Sequence, residues 1–167
     1  NGGDGFVAAR FLSDRNVTVH LLGRPESVAT DIARENWDAL GEAELDRRAV
    51  TDSRDLSLGA PDVVVDAMLG TGVTGALREP ERTAAEAVNH AYATVVAVDV
   101  PSGVDADTGE THGVAVEADH VVTFHDLKPA LADRDDVTVA DIGIPDAAET
   151  FVGPGDLQSL DRDPQSH

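Results

Sequence analysis

Two carboxylates, Asp66 and Asp99, close the apolar runs Val63-Val64-Val65 and Val95-Val96-Ala97-Val98. A carboxylate in such a place is partly desolvated and must find a cation or hydrogen-bond donors. Ser102 follows three residues after Asp99 in Asp99-Val100-Pro101-Ser102-Gly103, and Asn1 opens the chain in Asn1-Gly2-Gly3-Asp4-Gly5. Oxygen donors from Asn, Asp and Ser suit a hard cation rather than zinc. Asn1, Asp66 and Ser102 therefore form one candidate metal set. The plainer alternative for each acid is an Asx-type cap on the loop that follows it. A nucleophilic role for Ser102 is disfavoured, because its surroundings lack the G-x-S-x-G elbow.

Two glycine-rich loops could serve as phosphate or small-ligand cradles. In the opening loop, glycines run directly into a helical stretch at residues 6–12, and without Cβ atoms the backbone N–H groups there can approach an anion. The second loop, Gly70-Thr71-Gly72-Val73-Thr74-Gly75, formally matches G-x-G-x-x-G. In a dinucleotide fingerprint the helix starts at the third glycine, whereas Leu77-Arg78-Glu79-Pro80 delays it here. A phosphate-binding turn and an ordinary tight turn both remain open. Lys128 is the only lysine in a chain that otherwise uses arginine, and it sits just past an apolar run. A compact ammonium there could reach a phosphate or hydroxyl, or it could be a surface lysine. The histidines carry no H-x-x-x-H or H-E-x-x-H pattern and read as structural or surface residues.

The elements that would position these groups alternate in type. Residues 17–22, 63–68, 94–99, 120–124 and 137–142 read as strands. Pro25 suits the first turn of a helix, along which Val28, Ile32, Ala33, Trp37 and Leu40 form an apolar face. A second helix is expected over 81–92, with Ala84, Val88 and Ala91 in register. Continuous apolar strands separated by helices imply a parallel sheet covered on both faces, a Rossmann-like three-layer α/β/α sandwich. In such folds the ligand lies beyond the carboxyl ends of the strands, which is where the candidate residues fall. The opening loop would ordinarily hang from a strand of its own, so the expectation is that the first strand of the wind is missing from this chain. Residues 1–152 read as one domain, truncated at its N-terminus, and 153–167 as a linker.

Charge is the strongest compositional signal. There are 32 acidic residues against 12 basic ones, a formal net charge of −20. The acids are dispersed rather than gathered in a tail, and high salt screens such a surface against self-repulsion. A salt-adapted (halophilic), cytoplasmic protein is expected. Nucleic-acid binding is disfavoured, because it needs a basic stripe. No apolar run approaches the ~20 residues of a membrane span. With no cysteines, disulfide and thiolate chemistry are excluded.

Together the segments resemble one family, the NAD(P)H-hydrate epimerases with a YjeF-type N-terminal domain. The resemblance runs through Asn-Gly-Gly-Asp-Gly, Val-Asp-Ala-Met-Leu-Gly-Thr-Gly-Val-Thr-Gly, Ala-Val-Asp-Val-Pro-Ser-Gly-Val-Asp-Ala-Asp-Thr-Gly, Thr-Phe-His with Lys-Pro, and Ala-Asp-Ile-Gly-Ile-Pro. It covers residues 1–145 in the family's order and spacing. Ala130 stands where the family usually has glycine, and Ala76 where its loop often closes with proline.

The resemblance implies interconversion of the R and S forms of NADH and NADPH hydrated at C6, a nucleotide-repair isomerisation, with one potassium ion per subunit. Asn1, Asp66 and Ser102 would hold the potassium. Asn1, Gly2, Gly3, Asp4, Gly70, Thr71, Gly72, Val73, Thr74, Gly75, Ala76 and Asp99 would contact substrate. Asp99 and Lys128 are the candidate catalytic residues, Asp99 as the proton carrier for a hydroxyl that leaves and a water that returns. The family also implies a homodimer and, in bifunctional relatives, a following ADP- or ATP-dependent dehydratase domain. Two other readings stay open from the residues alone: a non-catalytic nucleotide-binding or interaction domain, and an NAD-dependent oxidoreductase.

Overall fold

A computed structural model of the chain describes residues 3–143. Asn1, Gly2, the 153–167 linker and the Ile-Pro of the last motif lie outside the described residues. In order, the elements are α1 (Gly3–Phe11), β1 (Thr18–Leu22), α2 (Asp31–Glu42), β2 (Asp46–Val50), β3 (Val63–Asp66), α3 (Glu81–Asn89), β4 (Thr94–Val98), β5 (His120–Phe124) and β6 (Val137–Ala140). Every pairing between these described strands is parallel. β1 pairs with β2, and β3, β4, β5 and β6 form a second sheet in that order. The expected α/β architecture is present, while the described strands fall into two sheets rather than one.

Each sheet has its own core. Phe6 and Ala9 of α1 pack with Ala33, Trp37 and Leu40 of α2, and Val17, Val19, Leu21 and Leu45 close that cluster from the β1–β2 side. The Phe6 and Trp37 rings lie 5.4 Å apart between centroids. Under the larger sheet, Ala85 and Val88 of α3 pack with Val95, Leu77 and Val116. Ala97, Val121 and Leu131 continue this layer. Register places Val64, Val95, Ala97, Val121 and Thr123 on the same inward face, as the two-residue period of a strand requires.

Several boundaries differ from the sequence expectation for identifiable reasons. Pro25–Ser27 forms a single 3₁₀ turn. α2 begins only at Asp31, where the Thr30 hydroxyl accepts from the Ala33 N–H and satisfies one of the helix's free donors. The later start leaves Val28 outside the helix, and the buried face is set by Ala33, Trp37 and Leu40. Ile32, one residue before Ala33 and so turned about 100° away from it, is 73% exposed. α3 stops at Asn89, whose side chain donates to Ala115 O at 2.8 Å and accepts from Glu117 N at 2.9 Å. Ala91 and Tyr92 therefore lie beyond it. β3 ends at Asp66 and β4 at Val98, because the next residues turn into the site; β6 ends at Ala140. β2 was not expected at all.

Candidate active site

The carboxyl ends of β3 and β4 and the first turn of α1 meet at a cleft of about 130 Å³, lined by Gly3, Asp4, Ala67, Leu69, Gly70, Val98 and Asp99. Gly5 makes the approach of α1 possible. A Cβ on it would lie 2.7 Å from the Ala67 Cβ, so any larger residue would push the helix off the loop after β3. Gly3 and Asp4 thus line the cleft. Thr71, Gly72, Val73, Thr74 and Ala76 are exposed and lie outside the lining of the cleft, with Gly75 turning the loop at φ 87° and Leu77 buried as its anchor.

Asp66 and Ser102 form a buried pair, each 2% exposed. One Asp66 oxygen accepts from Ser102 N at 2.8 Å. The other accepts from the Ser102 hydroxyl at 2.7 Å and from Met68 N at 3.3 Å. The same hydroxyl accepts from Leu69 N at 3.2 Å, which ties the 67–70 loop to the turn after β4. Ser102 is fixed in turn by Val116 N, which donates to its carbonyl at 2.9 Å. Gly103 then needs φ 95°, with Val114 O and Ala115 Cα where a Cβ would stand. The Asx-cap alternative is therefore part of the geometry, through Met68 N, but the dominant partner is Ser102.

Burial pushes the Asp66 carboxyl above the ordinary carboxylate value, against the opposing pull of the Ser102 and Met68 hydrogen bonds. All its donors are neutral, and among the described residues no ion pair reaches it. A buried carboxylate lacking a countercharge beside a serine hydroxyl, in an all-oxygen setting, fits a monovalent cation. Asp66 and Ser102 are the described residues that could hold one. No group of three or more His, Cys, Asp or Glu suited to a metal exists among the described residues.

Asp99 stands on the other wall. Its backbone N–H donates to Val122 O at 2.7 Å, while φ of 70° bends the chain out of the strand. Asp tolerates this left-handed conformation better than most residues. The bend leaves its side chain 18% exposed. Oδ1 accepts from the Thr123 hydroxyl at 3.1 Å and lies 3.2 Å from Lys128 Nζ. Nζ also donates to Phe124 O at 2.6 Å and Asp126 O at 3.1 Å. The ammonium thus donates to two carbonyls and is ion-paired with Asp99, and Lys128 is not among the residues lining the cleft. Thr123 is the functional candidate that sequence reasoning missed. Its signal was a hydroxyl at an inward-facing position of an otherwise apolar strand.

The chain is similar to known proteins over most of its length. A family model described as YjeF-related protein N-terminus matches residues 1–130. The bifunctional NAD(P)H-hydrate repair enzyme Nnr of Methanothermobacter thermautotrophicus is 47% identical over 100% of this chain and 35% of its own length. The chain thus spans about a third of the bifunctional relatives it matches. The NAD(P)H-hydrate epimerase of Cenarchaeum symbiosum is 44% identical over 91% of this chain and 74% of that protein. The crystal structure of yeast ynu0 superposes with a TM-score of 0.74 at 26% identity, covering 91% of this chain and 67% of that one. By the extent of the family match and the identity to full-domain relatives, the chain belongs to the family of YjeF-related protein N-terminal domains.

Proposed function

We propose that this chain carries out epimerisation of the R and S hydrates of NADH and NADPH, the activity named in its relatives. The observation that carries the reading is the carboxylate of Asp99, bent out of β4 into the cleft between α1 and the 67–70 loop. The hydrated ring bears a hydroxyl on the carbon beside its nitrogen. Asp99 in its acid form gives a proton to that hydroxyl, the C–O bond breaks, and the nitrogen lone pair forms an iminium. Water then adds to either face while the Asp99 carboxylate takes a proton from it, which restores the acid. Gly3, Asp4 and Gly70 frame the ring and its ribose-phosphate side, and the 71–76 loop flanks the cleft mouth.

Potassium, held by Asp66 and Ser102 together with Asn1, would supply the countercharge that the buried carboxylate lacks. The domain works as a homodimer in the cytoplasm of a salt-adapted cell, joined to an ADP- or ATP-dependent dehydratase domain that consumes one hydrate. The fusion is supported by the bifunctional relatives, and salt adaptation by the net charge of −20. No helix among the described residues is long and apolar enough to cross a membrane.

The test is to supply one purified hydrate and follow the epimer ratio by chromatography in potassium chloride. Asp99→Asn should lower the rate by about 100-fold or more. Retention of full activity by that variant would remove Asp99 from the chemistry.

A further inference from the structure

We infer that Thr123 is a positioning residue for proton transfer. With Lys128 it ties one oxygen of Asp99 and reserves the other, Oδ2, as the atom that carries the proton. The inference rests on the reading of Asp99 given above and adds to it an assignment for each oxygen.

The geometry is one-sided. Thr123 Oγ1 donates to Oδ1 at 3.1 Å, and the Lys128 ammonium is ion-paired with the same oxygen at 3.2 Å. Among the described residues no donor reaches Oδ2, which lies on the Gly70 side, 3.9 Å from where a Gly70 Cβ would be. Gly70 and Asp99 both line the cleft, so the unoccupied oxygen is the one beside the ligand space. A carboxylate held at one oxygen by a fixed hydroxyl donor and a fixed ammonium charge cannot rotate to exchange its oxygens without breaking the Thr123 hydrogen bond and moving Oδ1 away from Lys128. That fixes which lone pair meets the substrate hydroxyl and spares the reorientation that proton transfer would otherwise require.

Thr123 is suited to this task. Its side chain is fully buried in β5, between β4 and β6, and a β-branched side chain in a strand has restricted χ1 freedom. Its hydroxyl therefore points along one direction. Packing alone would be served equally by valine, which has the same shape and no donor. Lys128, which donates to Phe124 O and Asp126 O, supplies charge from a fixed place.

The experiment compares Thr123→Val and Thr123→Ser in the complete protein, measuring kcat and KM for one purified hydrate at saturating potassium. Thr123→Val is expected to lose about tenfold in kcat, the size of one hydrogen bond to a charged group, with KM within about twofold. Thr123→Ser, which keeps the hydroxyl, should recover to within about threefold of the parent. In an Asp99→Asn background, Thr123→Val should cost nothing further. Should Thr123→Val fail to fold, Thr123→Ala judged against Thr123→Ser replaces it.

An unchanged kcat in Thr123→Val, an equal loss in Thr123→Ser, or a rise in KM alone would overturn the assignment while leaving the epimerase reading intact. A parent protein that does not interconvert the hydrates would overturn that reading, and this inference with it.

Discussion

Gly103→Ala should be among the most damaging single-methyl additions to the domain, and its cost can be divided into two parts. At φ 95° the residue lies where an L side chain is strained; that conformation alone costs about 1–2 kcal/mol. The added Cβ would also stand 2.7 Å from Val114 O and 2.8 Å from Ala115 Cα. Both neighbours are backbone, so relief requires the 114–116 segment to move. That segment carries the Val116 N–H that holds Ser102. Overpacking of this kind costs a further 1–3 kcal/mol or so. The sum, about 2–5 kcal/mol, corresponds to a fall in melting temperature of roughly 5–15 °C for a domain of this size.

Gly113→Ala is the control. It has φ 117° but nothing within 4 Å of its would-be Cβ, so it bears the conformational part alone. Urea unfolding of both variants, read by circular dichroism, gives the two free energies, and their difference isolates the clash. If Gly103→Ala were no less stable than Gly113→Ala to within about 0.5 kcal/mol, the 114–116 segment would be yielding freely. The account of how Ser102 and Asp66 are held would then be wrong.

Replacing potassium chloride by choline chloride at equal ionic strength should lower the parent's melting temperature; the difference should vanish in Asp66→Asn, as differential scanning fluorimetry would show. Arg47 lies over the Trp37 ring at 5.0 Å and donates to Trp37 O at 2.5 Å. Arg47→Ala should therefore cost about 1–2 kcal/mol in chemical denaturation. Burial, then the neighbouring Arg48, holds the His20 imidazole below its ordinary value of 6.5, with Asp46 opposing. The folded chain accordingly favours the neutral ring. Its contribution is present above about 6.5 and lost as pH falls through the folded-state value. His20→Leu, which also removes the unpartnered buried Nδ1, should flatten the urea midpoint across that range relative to the parent.

What the sequence revealed depended on how each side chain meets the core. β5 is buried on its inward face and stood out over its full length as an apolar β-branched run, and β4 did so to within one residue. β2 escaped notice because Asp46, Arg47 and Arg48 occupy three of its five positions, a charged edge that masks the backbone pairing with β1. Ile32 lies off the apolar face because Ala33, Trp37 and Leu40 define it, while the Thr30 cap, which apolar spacing does not reveal, sets the helix start. At the site, Asp66 and Asp99 were legible as carboxylates closing apolar runs, and Ser102 as a hydroxyl in the loop just after the second. Two things were not: the direct bond between Asp66 and Ser102, 36 residues apart, and the convergence of Thr123 and Lys128 on one oxygen. Both arise from parallel register across β3, β4 and β5, which is a property of the sheet rather than of any segment.

The engagement of Lys128 also gives the domain an unusual chemical profile. With a single lysine in the sequence, amine-directed acylation has one side-chain target, and that amine is already committed to two carbonyls and a carboxylate. Its reactivity is thus set by how firmly the Asp99 contact is closed. A lysine-selective reagent would read out the state of the cleft from the modification of the one peptide that carries Lys128, with no probe introduced.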